Sequence, residues 1–150
     1  MTNLFVVYVE CIVQKGDSFL FIKRPTASQA GGLFCFPGGK VDNEDGNNNS
    51  DVLLHAVKRE IKEEVGLDLL DPTNLVSSVM FEQIKDGKKV IGLTFHCELN
   101  KTNPTVIPSP REVPEYKWMT LEDALGNELC ADFAKKSLLD LQKKIEKEAQ

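Results

Sequence analysis

Short apolar runs follow one another along most of the chain, and a helical period replaces them in two long segments. Leu4 to Val13 is rich in Val, Ile and aromatic residues, meets the turn cluster Lys15-Gly16-Asp17, and resumes as a second apolar run from Ser18 to Lys23. That pattern predicts a β-hairpin. Pro25 to Gly32 reads as a loop, Leu33 to Phe36 as a short apolar piece, and Pro37-Gly38-Gly39 as a sharp backbone turn. Asp42 to Asp51 contains only Asp, Asn, Glu, Gly and Ser, the composition of an exposed surface loop.

A helix is predicted from Ser50 or Asp51, either of which can cap it, to Val65, with Gly66 as its stop. Val57, Ile61 and Val65 recur at intervals of four and define its buried stripe. Val76 to Ile84 and Lys89 to Leu99 read as strands on either side of the turn Lys85-Asp86-Gly87-Lys88. Tyr116 to Met119 reads as a last short strand, Leu121 to Leu125 as a helical turn, and Ala131 to about Lys147 as an amphipathic helix. Phe133, Leu138, Leu139, Leu141 and Ile145 form the expected buried stripe of that helix. This order of elements predicts an α+β chain, a mixed sheet with helices packed on it, rather than a doubly wound parallel sheet.

Length and charge narrow the function classes. The 150 residues fit one domain, 1–150. A net charge of -5 argues against a broad basic surface for a nucleic-acid polymer. A small anionic substrate remains compatible, because a bound divalent cation reverses the local field. The four cysteines, Cys11, Cys35, Cys97 and Cys130, form no CxxC pair and read as buried free thiols. Met1 to Tyr8 has no basic segment before its apolar run, which Glu10 then breaks, so it reads as a strand rather than a signal peptide. With no stretch of transmembrane length, the expectation is a cytoplasmic protein without a membrane partner.

The candidate chemistry lies in Arg59-Glu60-Ile61-Lys62-Glu63-Glu64-Val65-Gly66-Leu67. A helix brings Glu60, Glu63 and Glu64, at i, i+3 and i+4, within one turn on the face away from the apolar stripe. Like charges at that spacing, at the C-terminal end of a helix, are unfavourable unless a cation sits among them. Mg²⁺, which takes a few carboxylates together with water and substrate phosphates, suits the cluster. The competing reading is a solvated face balanced by Lys58, Arg59 and Lys62.

Gly39 followed by Arg59-Glu60-Ile61-x-Glu63-Glu64-x-Gly66-Leu67 resembles the Nudix box, written G-x5-E-x7-R-E-U-x-E-E-x-G-U with U aliphatic. Leu33 to Val41 is similar to the segment leading into that box, and Glu115 to Met119 to the family's late strand. Arg59 stands twenty residues after Gly39, where the family has fourteen, so about six residues are inserted. Counting forward from Gly39 puts Asp45 in the first acidic slot, and counting back from Arg59 puts Asp51 there. The inserted stretch reads as exposed padding beside the site.

The resemblance implies the Nudix fold, a mixed sheet sandwiched between helices in three layers, and a metal-dependent hydrolase of nucleoside diphosphate linkages using Mg²⁺ or Mn²⁺. Carried over residue by residue, it makes Glu63 and Glu64 the principal metal ligands with the carbonyl of Gly38. Glu60 becomes a ligand through water or the general base, and Arg59 orients the glutamates. Glu112, six residues before Trp118, matches an additional metal-binding or base-positioning glutamate, with Glu115 and Glu82 as competitors. Arg24 matches an arginine that reaches substrate phosphate, Gly39 lies beside the substrate, and Phe34, Cys35 and Phe36 are candidates to line a base pocket, although alternate residues there must also fill the core.

The MutT-like reading, cleavage of a normal or oxidised nucleoside triphosphate to monophosphate and pyrophosphate, is the leading expectation. Coenzyme A or another nucleotide derivative is the alternative, weakened by Ser28 where the coenzyme A branch has a further arginine. A non-catalytic nucleotide-sensing module would have lost the carboxylates that are present here. The partner expected is a small nucleotide, and the protein a monomer or homodimer.

Overall fold

Alternation along two neighbouring strands divides the interior in two. The computed structural model describes residues 4–28, 30–48, 50–101 and 104–150; the opening residues 1–3 of the predicted first strand lie outside that range. The strands are β1 (Phe5–Lys15), β2 (Ser18–Lys23), β3 (Phe34–Cys35), β4 (Gly38–Lys40), β5 (Thr73–Glu82), β6 (Lys89–Glu98) and β7 (Glu115–Thr120). The helices are α1 (Val52–Val65), α2 (Leu121–Leu125) and α3 (Asp132–Glu148). β1 sends Val9, Cys11 and Val13 to one side of the sheet and Ile12 to the other, while β2 sends Leu20 and Ile22 one way and Phe19 and Phe21 the other. α1 covers the first side with Ala56, Val57, Ile61 and Val65; α3 covers the second with Ala134, Leu138 and Leu141. The result is the three-layer, mixed-sheet α+β arrangement expected.

The main path of the sheet runs β3-β2-β1-β6-β5, with β4 paired to β1 and β7 to β2. β1 lies parallel to β6 along its whole length and antiparallel to β2 and β4. Glu10 therefore stands opposite Gly38, Val9 opposite Gly39 and Tyr8 opposite Lys40. The hairpin turn uses Gly16 at φ 59°, and Phe21 stacks against Phe36 with ring centroids 4.8 Å apart. α1 begins where the Asp51 carboxylate accepts from the Leu54 amide at 3.0 Å and ends at Gly66 in the left-handed region.

Three expectations are corrected. Gly38-Gly39 is not a turn but part of strand β4, paired with β1; Gly38 is backed onto β1 and Gly39 onto Glu60 of α1 too closely for any side chain. Asp42 to Asp51 is not uniformly exposed: Asn43–Gly46 forms a 3-10 turn with Asp45 fully buried, since that carboxylate has a cationic partner described below. In α3 the buried stripe is Ala134, Leu138 and Leu141, on a 3.6-residue period, whereas Phe133, Leu139 and Ile145 are exposed. β5 starts three residues earlier than predicted, at Thr73, and carries a bulge between Leu75 and Ser77. All four cysteines are buried and free, as expected.

Candidate active site

Strand β4 is a wall with chemistry on both faces. On the α1 side the Gly38 amide donates to Glu64 Oε1 at 2.6 Å, and the carbonyl of Lys40 accepts from Arg59 Nη2 at 3.0 Å. A Cβ at Gly39 would fall 2.2 Å from the Glu60 carboxyl carbon, and one at Gly38 2.2 Å from the Val9 carbonyl oxygen. Only glycines permit this approach of backbone to carboxylates.

Arg59 organises the acids around it. Its Nε and Nη2 donate to the two Asp45 oxygens at 2.7 and 2.8 Å, and its Nη1 donates to Glu60 Oε1 at 2.9 Å and Glu63 Oε2 at 3.1 Å. His55 Nδ1 adds a contact to Asp45 Oδ1 at 2.9 Å. Hydrogen bonds from Arg59 hold the Asp45 carboxyl well below the usual carboxylate range. Burial moves Glu60 and Glu64 the other way, Glu64 up to about 7 against the opposing pull of the Gly38 amide and Arg24. Glu112 adds its negative charge to both.

This donor set suits a hard divalent cation: carboxylate oxygens and one backbone carbonyl, crowded enough that a positive charge relieves their repulsion. Among the described residues no three such side chains already converge on one point. Glu60 and Glu63 turn onto Arg59 and Glu64 onto Gly38 in this arrangement. Cation binding would exchange those contacts for metal contacts.

On the opposite face of the wall, between the sheet and α3, lies a cavity of about 510 Å³. Val79 and Phe81 of β5 and Phe133 of α3 give it apolar walls, while Tyr8 and Glu10 of β1 form its floor. Arg24 stands at its rim, donating to the Tyr8 hydroxyl, and also lines a second cleft of about 400 Å³ with Lys23 and Arg111. Glu10 accepts from Thr94 Oγ1 at 2.8 Å, and its burial pushes the carboxyl up to about 7.

The family model for the NUDIX domain matches residues 4–142. The chain belongs to that family. A 64-residue stretch is 38% identical to an 8-oxo-dGTP diphosphatase of Proteus vulgaris, covering 43% of this chain and 52% of that protein, so the chain matches about half the length of this curated relative. A MutT protein of Methanosarcina mazei Go1 superposes with a TM-score of 0.74 at 26% identity, covering 96% of this chain and 97% of the other. The NUDIX domain of Shewanella oneidensis NrtR, solved with ADP ribose, superposes with a TM-score of 0.75 at 16% identity, covering 96% and 90%. The fold alone therefore does not choose the ligand, and the side chains of this NUDIX domain must.

Within this NUDIX domain the box residues come together as expected: Arg59, Glu60, Glu63 and Glu64 share one face of α1, with Gly38 and Gly39 against them and Glu112 near enough to act on two of them. Glu115 instead pairs with Lys23 at 3.8 Å, and Glu82 ends β5. Asp45, not Asp51, meets Arg59; Asp51 is the α1 cap, so the six extra residues lie between Asp45 and α1. Arg24 lines both the cavity and the second cleft. Phe34 and Cys35 are buried in the second core cluster, and neither is part of the cavity lining. The floor residues Tyr8 and Glu10 and the wall residue Phe133 were not anticipated. The available signal was Glu10 itself, a single acid in the middle of an apolar strand.

Proposed function

We propose that this NUDIX domain, one domain over residues 1–150, hydrolyses a nucleoside triphosphate between the α and β phosphorus atoms to yield a monophosphate and pyrophosphate. The observation that carries the reading is the two-faced strand β4: carboxylates on one side, a cavity large enough to take a purine base on the other, and Arg24 at the edge between them. A base held in the cavity leaves its phosphates at the Arg24 rim, beside the acids of α1. The triphosphate specificity of the partial relative from Proteus vulgaris supports the same substrate class.

Glu60, Glu63, Glu64 and Glu112, with the Gly38 carbonyl, would hold Mg²⁺ or Mn²⁺, which when bound supplies positive charge to the phosphoryl oxygens. Arg24 binds phosphate through its planar fork, already oriented by Tyr8. Glu60, backed onto Gly39, takes the proton of the attacking water, and Arg59 keeps Glu60 and Glu63 in register from its anchor on Asp45. The apolar walls of the cavity exclude water from the base. No helix among the described residues is long and apolar enough to cross a membrane, and the partner proposed is a small nucleotide rather than a polymer.

A hydrolysis screen with product identification tests this. Nucleoside triphosphates should yield pyrophosphate and monophosphate in a Mg²⁺-dependent reaction. Cleavage of coenzyme A or ADP-ribose with triphosphates untouched would overturn the substrate class, and turnover undiminished in excess chelator would overturn the metal requirement.

A further inference from the structure

The cavity floor carries a charge-bearing group where an apolar side chain would seal it more cheaply. Glu10 is only 8% exposed, in the middle of β1, and its strand neighbours Val9 and Cys11 both point into the other core. Parallel pairing places it beside Thr94 of β6, whose hydroxyl donates to Oε1 at 2.8 Å. No other described residue donates to Glu10, and among the described residues no fully buried side-chain oxygen is without a partner. The second oxygen therefore opens on the cavity it lines. A buried carboxyl with half its acceptor capacity unused is unfavourable unless a ligand completes it. Arg24, whose charge acts on Glu10, donates to the Tyr8 hydroxyl, and Lys40 and Lys136 line the same cavity.

The walls around Glu10 are Val79, Phe81 and Phe133, surfaces on which a flat ring packs. Guanine offers two adjacent donors, N1–H and the N2 amine, to the open oxygen of Glu10 and to the lone pair that Thr94 leaves on the other, whereas adenine sets its N1 lone pair beside its amine and against a carboxylate oxygen. We propose that Glu10, held in place by Thr94, is the base-selecting residue of the cavity and prefers nucleoside triphosphates with a guanine-type edge. The inference rests on the reading that the substrate is a nucleoside triphosphate with its base in this cavity. It adds the residue and the hydrogen-bond pattern that choose among such substrates.

The test compares kcat and KM for dGTP, dITP and dATP at pH 8 with Mg²⁺, for the unaltered protein, Glu10→Gln and Thr94→Val. The unaltered protein should prefer dGTP to dITP, which lacks the N2 amine, and dITP to dATP. Gln presents one acceptor and one donor, the complement of an adenine edge, so Glu10→Gln should lower the dGTP to dATP ratio of kcat/KM by about tenfold or more, expressed in KM. Thr94→Val should narrow the ratio without inverting it. A purely structural role for Glu10 would change all three substrates alike, and that result, or a preference of the unaltered protein for dATP, overturns the proposal. If Glu10→Gln fails to fold, the substrate order and Thr94→Val still decide. Triphosphates cleaved with equal kcat/KM refute base selection by Glu10 alone; none cleaved refutes the triphosphate reading with it.

Discussion

Arg59 grips both oxygens of Asp45 across fourteen residues of chain, Nε to Oδ1 at 2.7 Å and Nη2 to Oδ2 at 2.8 Å. The contact ties the 3-10 turn after β4 to the helix that carries the carboxylates, and it leaves Arg59 Nη1 free to hold Glu60 and Glu63. Asp45 is fully buried, while the Arg59 side chain keeps 17% exposure. The pair thus links stability to the site.

Asp45→Asn should destabilise the fold by about 3 kcal/mol, the lower end for breaking a buried ion pair, because Arg59 retains some solvent and the acids of α1. Urea denaturation measures it. A loss below about 1 kcal/mol would mean that the contact behaves as a surface pair.

The same carboxyl makes stability fall in acid. Its folded-state pKa is lowered by Arg59, so its contribution is fully present above the ordinary Asp value of about 3.9 and is lost as pH drops below it. Urea midpoints between pH 6 and pH 3 should decline more steeply for the unaltered protein than for Asp45→Asn. Parallel curves would assign the acid sensitivity to other groups.

Removing residues 47–50 should leave a folded protein, since halving a loop changes closure entropy by only about 0.6 kcal/mol and both Asp45 and the Asp51 cap are kept. Extending the deletion to include Asp45 should unfold or strongly destabilise the chain. Thermal melts of the two deletions separate padding from structure, and equal melting temperatures would mean that Asp45 contributes no more than the residues after it.

Glu64→Gln should retain the fold, because the amide oxygen still accepts from Gly38, while losing about 100-fold or more in kcat/KM as a ligand charge disappears. Circular dichroism and Mg²⁺-dependent pyrophosphate release check both halves. Activity within a few fold of the unaltered protein would remove Glu64 from the metal-binding set.

Arg24→Ala should raise KM for triphosphates about tenfold or more, the usual weight of a hydrogen bond to a charged group, with a smaller effect on kcat. Steady-state kinetics tests this directly. A change confined to kcat would mean that Arg24 acts through Glu64, whose charge it also feels, rather than on the phosphate.

What the chain order by itself determined is local. α1 could be read from Val57, Ile61 and Val65, its Asp51 cap and its Gly66 stop, because a helix is written in spacings of three and four and in the chemistry of its two ends. The same spacing put Glu60, Glu63 and Glu64 on one face. The β1–β2 hairpin and the β5–β6 pair were legible for a similar reason, as alternating runs around Gly-containing turns. Tertiary structure decided everything that depends on a partner distant in sequence. Asp45 and Asp51 were equal candidates for the first acidic slot of the box until Arg59 came to meet Asp45 and Asp51 was found capping α1. Phe34 lies buried in the second core cluster and Phe133 exposed on the cavity wall, since the sheet's register and the seat of α3 determine which ring faces inward. Glu10 became a cavity-floor acid only when β6 ran parallel to β1 and brought Thr94 beside it, a pairing across 84 residues. Spacing along a chain reports what a single element can bring together; a site built between elements exists only after they pack.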